Sequence, residues 1–521
     1  MNLKALAPAV AAGFLLLAAA CTDPTVQPKS TITSANIFND PTSYQKFLAK
    51  IYGGLSLSGQ QGPAGQPDIS GIDEGFSQYL RLYWEHEELP TDEAVIAWGD
   101  IGLPEMNTQT WNAQSNMVVA MYYRIYFQVV LANEFLRQTI DDSLTARHVS
   151  QTLRDQIRQY RAEARFLRAL SYWHAIDLFG DVPLVTEANL INGPPPSQST
   201  RAQVYDYIVS ELTAIKSDLP PKDPANYGRA TQPAADFLLA EVYLNAGVYT
   251  GTPHYDLALA AASSVIAAGY QIDSSYQRLF SADNNTSPEI VFPVPFDGLK
   301  TQTYGGTTFL VHASCGGSMN PNDYGLDGCW YGLRIKPQVD SFYAAGDLRP
   351  VFYTNGQTLD VSSISNFNAG YALPKFRNVT STGQPGSNKT FVDTDFPMFR
   401  LGEAYLIYAE CQVRGGGGDT TTALSYINAL RARAYGNASG AVVDSQLTLP
   451  FILAERGREL LWEGHRRTDL VRFGLFTGNS YLWAWKGGAQ GGTGTDAHLN
   501  LYPIPASELV ANPNLHQNAG Y

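Results

Sequence analysis

Basic charge is scarce in this chain. Its 521 residues include 35 Lys or Arg against 48 Asp or Glu, for a formal net charge of −13. A nucleic-acid surface needs clustered cations to neutralise phosphates, so no nucleic-acid partner is expected. Strongly acidic ligands are disfavoured too, except in a local basic pocket. Cysteine is rarer still, with Cys21, Cys315, Cys329 and Cys411 the full set. No histidine or second cysteine pair stands at zinc spacing, so no metal site and no cofactor is called for. Beyond residue 20 no stretch is apolar enough to span a bilayer. What remains is a globular composition: 44% hydrophobic, 16% charged and 12% aromatic, with 30 Tyr. The length is ample for a large core and by itself allows two or three domains.

The amino terminus reads as an export signal. Lys4 precedes an unbroken small and apolar run from Ala5 to Ala20, too short for a comfortable span, and the run stops at Cys21. A polar, proline-containing stretch, TDPTVQPKS, follows. This arrangement resembles a bacterial lipoprotein signal, with Cys21 as the lipidated first residue of the mature chain. The leucine usual three residues before that cysteine is Ala18 here, with Leu17 one step earlier. An ordinary secretory signal with an incidental cysteine is the other reading. Residues 1–20 are thus assigned to the signal and 21–35 to a lipid-anchored tether, which holds a soluble body to a membrane.

The long periodic segments read as helices over about 115–140, 150–179, 201–217, 231–248, 254–268, 400–414, 420–434 and 451–473. In the second of these, Phe166, Ala169, Leu170, Trp173 and Asp177 share one helical face, and Arg158, Arg161, Arg165 and Arg168 form another stripe. Two stretches are similar: LLAEVYLNAG before ALAAASSVIAAG, and LIYAECQVRG before ALSYINALRARA. Small alanines where paired helices cross are the tetratricopeptide packing pattern. The fold class expected is mainly α, with tetratricopeptide-like helix pairs as a scaffold and a loop-rich half containing short strands. The scaffold is assigned mainly to 36–52, 113–280 and 400–521. The loop-rich, ligand-binding parts are assigned mainly to 53–112 and 281–399, which are dense in Gly, Pro, Asn and aromatics; long loops on a rigid scaffold are where binding resides.

Three clusters carry the residue types of acid–base chemistry. Ser171, His174 and Asp177 are spaced three apart on one straight helix. Such a row does not give an exposed nucleophile beside an oxyanion hole, so a packed helix is expected. Glu163 has no basic residue three or four positions away, which sends its partner to another helix. In WEGHRRTDLVRFG, Arg466 and Asp469 can pair at i, i+3 before Gly474 ends the helix. The acids of YWEHEELPTDE (Tyr83–Glu93) read as a solvated loop face, with metal binding through His86 a minor alternative. No catalytic residue is assigned.

The loop aromatics carry a different signal. Sugar rings lie their C–H faces on flat aromatic rings, which give large contact area at small entropic cost, while amide and acid side chains take the hydroxyls. One stretch offers Trp98, Asp100, Asn107 and Trp111. A second, MNPNDYGLDGCWYGLR, offers Asn320, Asn322, Asp323, Tyr324, Trp330 and Tyr331. Cys315 and Cys329 bracket much of it and are candidates for a disulfide outside the cytoplasm, which would stabilise the fold by roughly 3 kcal/mol on the chain-entropy model. Cys411 reads as a buried thiol. Trp483 and Trp485, before a glycine run, read as part of a structural connector.

Five segments in order resemble the SusD/RagB family of outer-membrane nutrient-binding lipoproteins. They are RAEARFLRALSYWHAIDLFGDVPL, GRATQPAADFLLAEVYL, FPMFRLGEAYLIYAE, ILAERGRELLWEGHRRTDLVRFG and LYPIPASELVANPNLHQNAGY, with the lipoprotein start before them. The resemblance implies one such domain over 36–521. It also implies an oligosaccharide ligand without catalysis, and a SusC-like TonB-dependent β-barrel transporter over which the protein sits as a lid on the outer membrane. By position, Trp98, Tyr324 and Trp330 resemble the family's ligand platform, in loops that vary widely. A minority of the family serves peptide uptake, so a peptide binder is the first rival; a lipid-anchored glycan hydrolase is the second. The expected ligand-binding set is Trp98, Asp100, Asn107, Asn320, Asn322, Tyr324, Trp330 and Tyr331.

Overall fold

A computed structural model describes residues 37–63, 65 and 67–521. The signal, Cys21 and the tether lie outside the described residues. The chain divides into two units, the first running to Tyr44 and the second Gln45–Tyr521. The described part of the first unit is a 3-10 turn, Ile37–Asn39, and the opening of helix α1 (Ser43–Ser56), with the Phe38 and Tyr44 rings 5.1 Å apart.

In the second unit α1 is followed by α2 (Tyr79–Glu88), strand β1 (Ala94–Ile96) and α3 (Leu103–Thr108). Next come α4 (Asn116–Gln138), α5 (Asp141–Ala146) and the long α6 (Gln151–Phe179). Strands β2 (Val182–Pro183) and β3 (Gln198–Ser199) lead into α7 (Arg201–Ile215), α8 (Gln232–Leu244), α9 (Ala246–Thr250) and α10 (Tyr255–Ala267). The irregular middle holds β4 (Ile290–Val294), α11 (Gly306–Ala313), β5 (Leu333–Ile335), α12 (Pro337–Asp340) and β6 (Phe396–Arg400). After it come α13 (Leu401–Val413), α14 (Thr420–Tyr435), α15 (Leu449–Glu459), α16 (Arg466–Arg472) and α17 (Ala506–Ala511). The strands form three antiparallel pairs, β1–β5, β2–β3 and β4–β6. Among the described residues no helix is long and apolar enough to cross a membrane.

The helices stack as neighbours. α4 packs on α6, α6 on α7, and α7 on α8; α10 lies against both α8 and α13, and α13 against α14 and α15. Ala258, Ala261 and Ala262 of α10 and Ala409 and Ala423 of α13 and α14 are buried at these crossings. Leu406, Ile427, Leu430 and Ile452 fill the space around them, with Leu259 and Ile266 packed against the cluster. This is the stacked helix-pair arrangement read from the two similar stretches.

Helix α6 is packed as its spacing suggests. Ser150 caps it by accepting the Leu153 N–H, Gly180 (φ 74°) ends it, and Phe166, Leu170 and Trp173 are buried. Arg168 reaches Glu211 of α7 at 2.8 Å and Glu187 at 2.5 Å, and Arg165 reaches Glu211 at 2.7 Å. The cation that pairs with Glu163 comes from a loop and not from another helix: it is Arg229, in the bend before α8, while the Tyr52 hydroxyl of α1 donates to Glu163 at 2.6 Å. The apparent triad dissolves: Ser171 donates back to the Leu167 carbonyl, His174 Nδ1 meets the Tyr79 hydroxyl at 2.8 Å, and Asp177 is held by Arg467 and Thr468. Burial pulls the His174 pKa down to about 3, leaving a neutral ring rather than a poised base.

Three readings need correction. The segment expected as one helix over 451–473 is two, α15 and α16, separated by a turn in which Trp462 (φ 63°) and Gly464 (φ 81°) are left-handed. Arg466 and Asp469 do not pair: Arg466 clamps Asp92 through Nε and Nη2, each at 2.7 Å, while Asp469 takes Arg456 and Arg472, each at 2.7 Å. And the acids of Tyr83–Glu93 are not a solvated face. Most lie on α2 or the bend after it, and every one is buried. Glu88 accepts the Gly464 N–H at 2.6 Å, Glu93 that of Trp462 at 3.1 Å, and Glu87 that of Thr468 at 3.0 Å. The break is thus the place where these carboxylates receive backbone amides that a continuous helix would use internally.

Candidate functional site

The β1–β5 ladder brings two distant loops together. Its register pairs Ile96 with Leu333 and Ala94 with Ile335. Trp98, two residues beyond the end of β1, therefore emerges beside Trp330, three residues before β5. The Trp98 indole N–H donates to the Trp330 carbonyl at 2.9 Å, and the two ring centroids lie 6.3 Å apart at 47°. Trp330 is in turn stacked on His312 of α11 at 4.4 Å and 19°, and meets Tyr304 edge-on at 6.1 Å. Cys315 and Cys329 are joined in a disulfide, with Cα atoms 4.7 Å apart, immediately before Trp330. The disulfide closes the loop that precedes this tryptophan and ties its chain neighbour Cys329 to the segment just after α11.

Two further groups fix the rings. The Arg81 guanidinium lies 4.3 Å from the Phe309 ring centroid and 5.5 Å from that of Trp98. It is held by Glu85 at 2.8 Å and by the Gly75 carbonyl at 3.3 Å. A guanidinium on the face of an indole is attractive through the ring quadrupole, so Arg81 steadies Trp98 as well as charging the site. Burial raises the Glu85 pKa, with Arg81 opposing the shift. His312 faces the carbonyls of Gly328 (2.8 Å) and Thr390 (3.1 Å), and burial lowers its pKa despite them.

The result is an open depression of about 510 Å³. Asp73, Phe76, Arg81, Trp98, Asp100 and Trp330 line it, with Ile101 and Asn116 at its edge. Asp73 Oδ1 accepts two amides of its own turn, from Gly75 at 2.8 Å and Phe76 at 3.2 Å. Asp100 and Asn116 are exposed at the rim, and Ile101 is 78% exposed. Flat rings flanked by one guanidinium, two carboxylates and an amide can hold a polyhydroxylated ring: C–H faces on the indoles, hydroxyls at the edges.

The expected residues divide. Trp98, Asp100 and Trp330 come together here. Tyr331, 51% exposed with φ 55°, stands next to them, its ring edge-on to Phe367. Asn107 does not reach the depression. It is fully buried, and its amide brackets Ile96, accepting that residue's N–H and donating to its carbonyl, each at 3.0 Å. It braces the end of β1 from behind, because a primary amide offers the same donor and acceptor as a peptide. Trp111 is also buried, donating to the Tyr521 hydroxyl at 2.7 Å. Asn322 and Tyr324 sit on a 3-10 turn, Pro321–Tyr324, which Asn320 caps by accepting the Asn322 N–H, and Asn322 lines a different pocket, shared with Arg278 and Arg377. Sequence reasoning missed Asp73, Phe76, Arg81 and Tyr304. All four lie in the two stretches assigned to ligand binding, but only the ladder register shows which residues of one face the other.

Comparisons with known proteins bear on the same chain. The family model described as "SusD family" matches residues 316–521, and one described as "Starch-binding associating with outer membrane" matches residues 83–244. The starch-binding protein SusD of Bacteroides thetaiotaomicron is 37% identical, with 92% of each chain covered. SusD-like protein P2 of Formosa agariphila is 26% identical over 80% of this chain and 83% of its own. Among solved structures, a SusD superfamily protein of Bacteroides thetaiotaomicron superposes with a TM-score of 0.71 at 22% identity, covering 92% of this chain and 99% of its own. The surface glycan-binding protein A of the same organism, solved with laminarihexaose, gives 0.68 at 20% identity, covering 91% and 98%.

Proposed function

The chain belongs to the SusD family, and from that premise we propose that it binds oligosaccharide in the depression between Trp98 and Trp330 and passes it to a SusC-like TonB-dependent β-barrel transporter. The observation that carries this reading is the pairing of two partly exposed indoles, tilted rather than coplanar, over a charged and amide-bearing rim. A third ring, Tyr304, stands edge-on to Trp330. Rings inclined to one another rather than coplanar suit a glucan that coils better than one that lies flat. With the name of the 37%-identical relative, this favours a starch-type glucan as the ligand class. The protein acts at the outer membrane, held through Cys21 and the tether and facing the exterior. The site works by capture, without turnover. Of the two carboxylates lining it, Asp73 already spends one oxygen on its own turn.

Titration calorimetry with maltoheptaose, cellohexaose and a mixed peptide digest tests this. Maltoheptaose is expected to bind, and Trp98→Ala or Trp330→Ala each to weaken it by about thirtyfold, the equivalent of ~2 kcal/mol for a buried aromatic contact. Saturable peptide binding with no glucan response would replace the ligand class. New reducing ends after incubation with glucan would replace capture by hydrolysis.

A further inference from the structure

The pocket that receives Asn322 is built differently from the tryptophan depression and shares no residue with it. It has a volume of about 440 Å³ and a polar wall that includes Ser275, Gln277, Arg278, Asn322, Arg377 and Thr380. Its two guanidiniums are not equivalent. Arg278 is committed to Asp273 at 3.3 Å and to Thr286, whose hydroxyl and carbonyl accept at 2.8 and 3.0 Å. Arg377 is anchored only by its backbone, which donates to the Phe280 carbonyl at 2.9 Å and accepts from the Thr394 hydroxyl at 2.6 Å. Its side chain is half-buried and has no hydrogen bond or ion pair among the described residues; its titratable neighbour is Tyr324, which burial keeps as a neutral phenol. Two other arginines without a carboxylate are satisfied by carbonyls: fully buried Arg334 on those of Gly332, Ser363, Ile364 and Ala369, and Arg201 on those of Ile176, Val248 and Asp177. Arg377 has no such substitute, and burial lowers its pKa.

A guanidinium partly withdrawn from water and without an acceptor presents a planar fork suited to a carboxylate. Around it stand hydroxyls, amides and the half-buried Tyr324 ring, the groups that hold a sugar. Acids are near but occupied: Asp323 accepts from the Asn320 amide at 3.1 Å, and Asp283 takes the Ser381 N–H and hydroxyl at 2.7 and 2.5 Å. Asp323 on the wall also repels ions of double charge more than a single carboxylate. We propose that this pocket is a second saccharide subsite, for an acidic sugar whose carboxylate pairs with Arg377. It stands independently of the tryptophan platform.

The test is calorimetry of the whole protein with trigalacturonate, with inorganic sulfate as the small-anion arm. Trigalacturonate is expected to bind, to weaken as salt is raised, and to lose about tenfold or more in Arg377→Gln, the scale of a charge-assisted hydrogen bond. Trp98→Ala should leave it unchanged. Arg377→Lys keeps the charge without the fork and should fall between; it also serves if the glutamine variant does not fold, a point read from circular dichroism. Absence of trigalacturonate binding, indifference to Arg377→Gln, loss in Trp98→Ala, or sulfate binding as strongly as the trisaccharide would each overturn the assignment.

Discussion

Gly332 lacks a side chain where the Trp98 ring needs the room. A Cβ added there would come within 2.8 Å of Trp98 Cζ2 and 2.9 Å of Cε2, contacts that real Cβ atoms do not make. The indole must shift, and the hydrogen bond to the Trp330 carbonyl shifts with it. Gly332→Ala is expected to weaken glucan binding by about tenfold through misplacement of one ring, since overpacking of this kind costs ~1–3 kcal/mol. Titration together with a changed tryptophan emission spectrum checks it; unchanged binding would place the ligand off Trp98. The same pair of residues shows what the sequence reveals at this scale. Trp98 and Trp330 stand out as aromatics in irregular stretches, but Gly332 and Arg81 acquire meaning only once the ladder sets them against Trp98. Asn107 misleads for a chemical reason: an amide that would bind a hydroxyl binds a strand equally well.

At the scale of elements, helix pairs are legible because burial imposes a 3.6-residue period and small residues mark crossings. The break between α15 and α16 is not, because the apolar period runs on through it. What interrupts the helix is a set of carboxylates from α2 and the bend after it, far away in sequence. Asp92, fully buried, receives both the Arg466 fork and the Tyr481 hydroxyl. Arg466→Met leaves that charge buried without its main partner and is expected to cost ~3–5 kcal/mol in chemical denaturation. Adding Asp92→Asn should recover part of the loss. If the double variant is no better than the single one, the pair is not the unit that fixes the turn.

For the molecule as a whole, the buried charges set a pH optimum of stability. Burial alone would raise the Glu459 pKa, but Arg433, Arg400 and Arg349 around it outweigh burial and hold it well below the usual range; Arg456 and Arg472 do the same for Asp469. Their contribution is complete above the ordinary carboxylate pKa of about 4 and is lost as pH falls below it, because the unfolded chain takes up protons first. Glu87 and Glu93 act oppositely. Burial pushes them up to about 8 and about 7, so the stability they confer by staying protonated is present below the ordinary glutamate value and lost as pH rises through those values. The thermal midpoint is expected to climb to about pH 4–5 and to slope down from there toward pH 8. Glu93→Gln should flatten the alkaline limb in a pH series of melts and leave the acid limb intact; an unchanged alkaline limb would assign it to other groups. Composition alone hides this behaviour, since the net charge of −13 does not say which of the 48 acids are buried and paired.

The acids of α2 and the bend after it have a consequence for how the protein is made. Their partners in the α15–α16 turn and at the start of α16 lie 369 to 381 residues further along the chain. At 5–20 residues per second, a ribosome delivers those partners roughly 20–75 s after the acids themselves. In that interval Glu85 has Arg81 of its own helix, but Glu87, Glu88, Asp92 and Glu93 lack the cations and amides of the α15–α16 turn and α16 that accompany their burial. Burial of Glu87, Glu88, Asp92 and Glu93 is therefore expected to wait for the arrival of Trp462 to Thr468, and chains truncated before Trp462 should remain sensitive to limited proteolysis around α2.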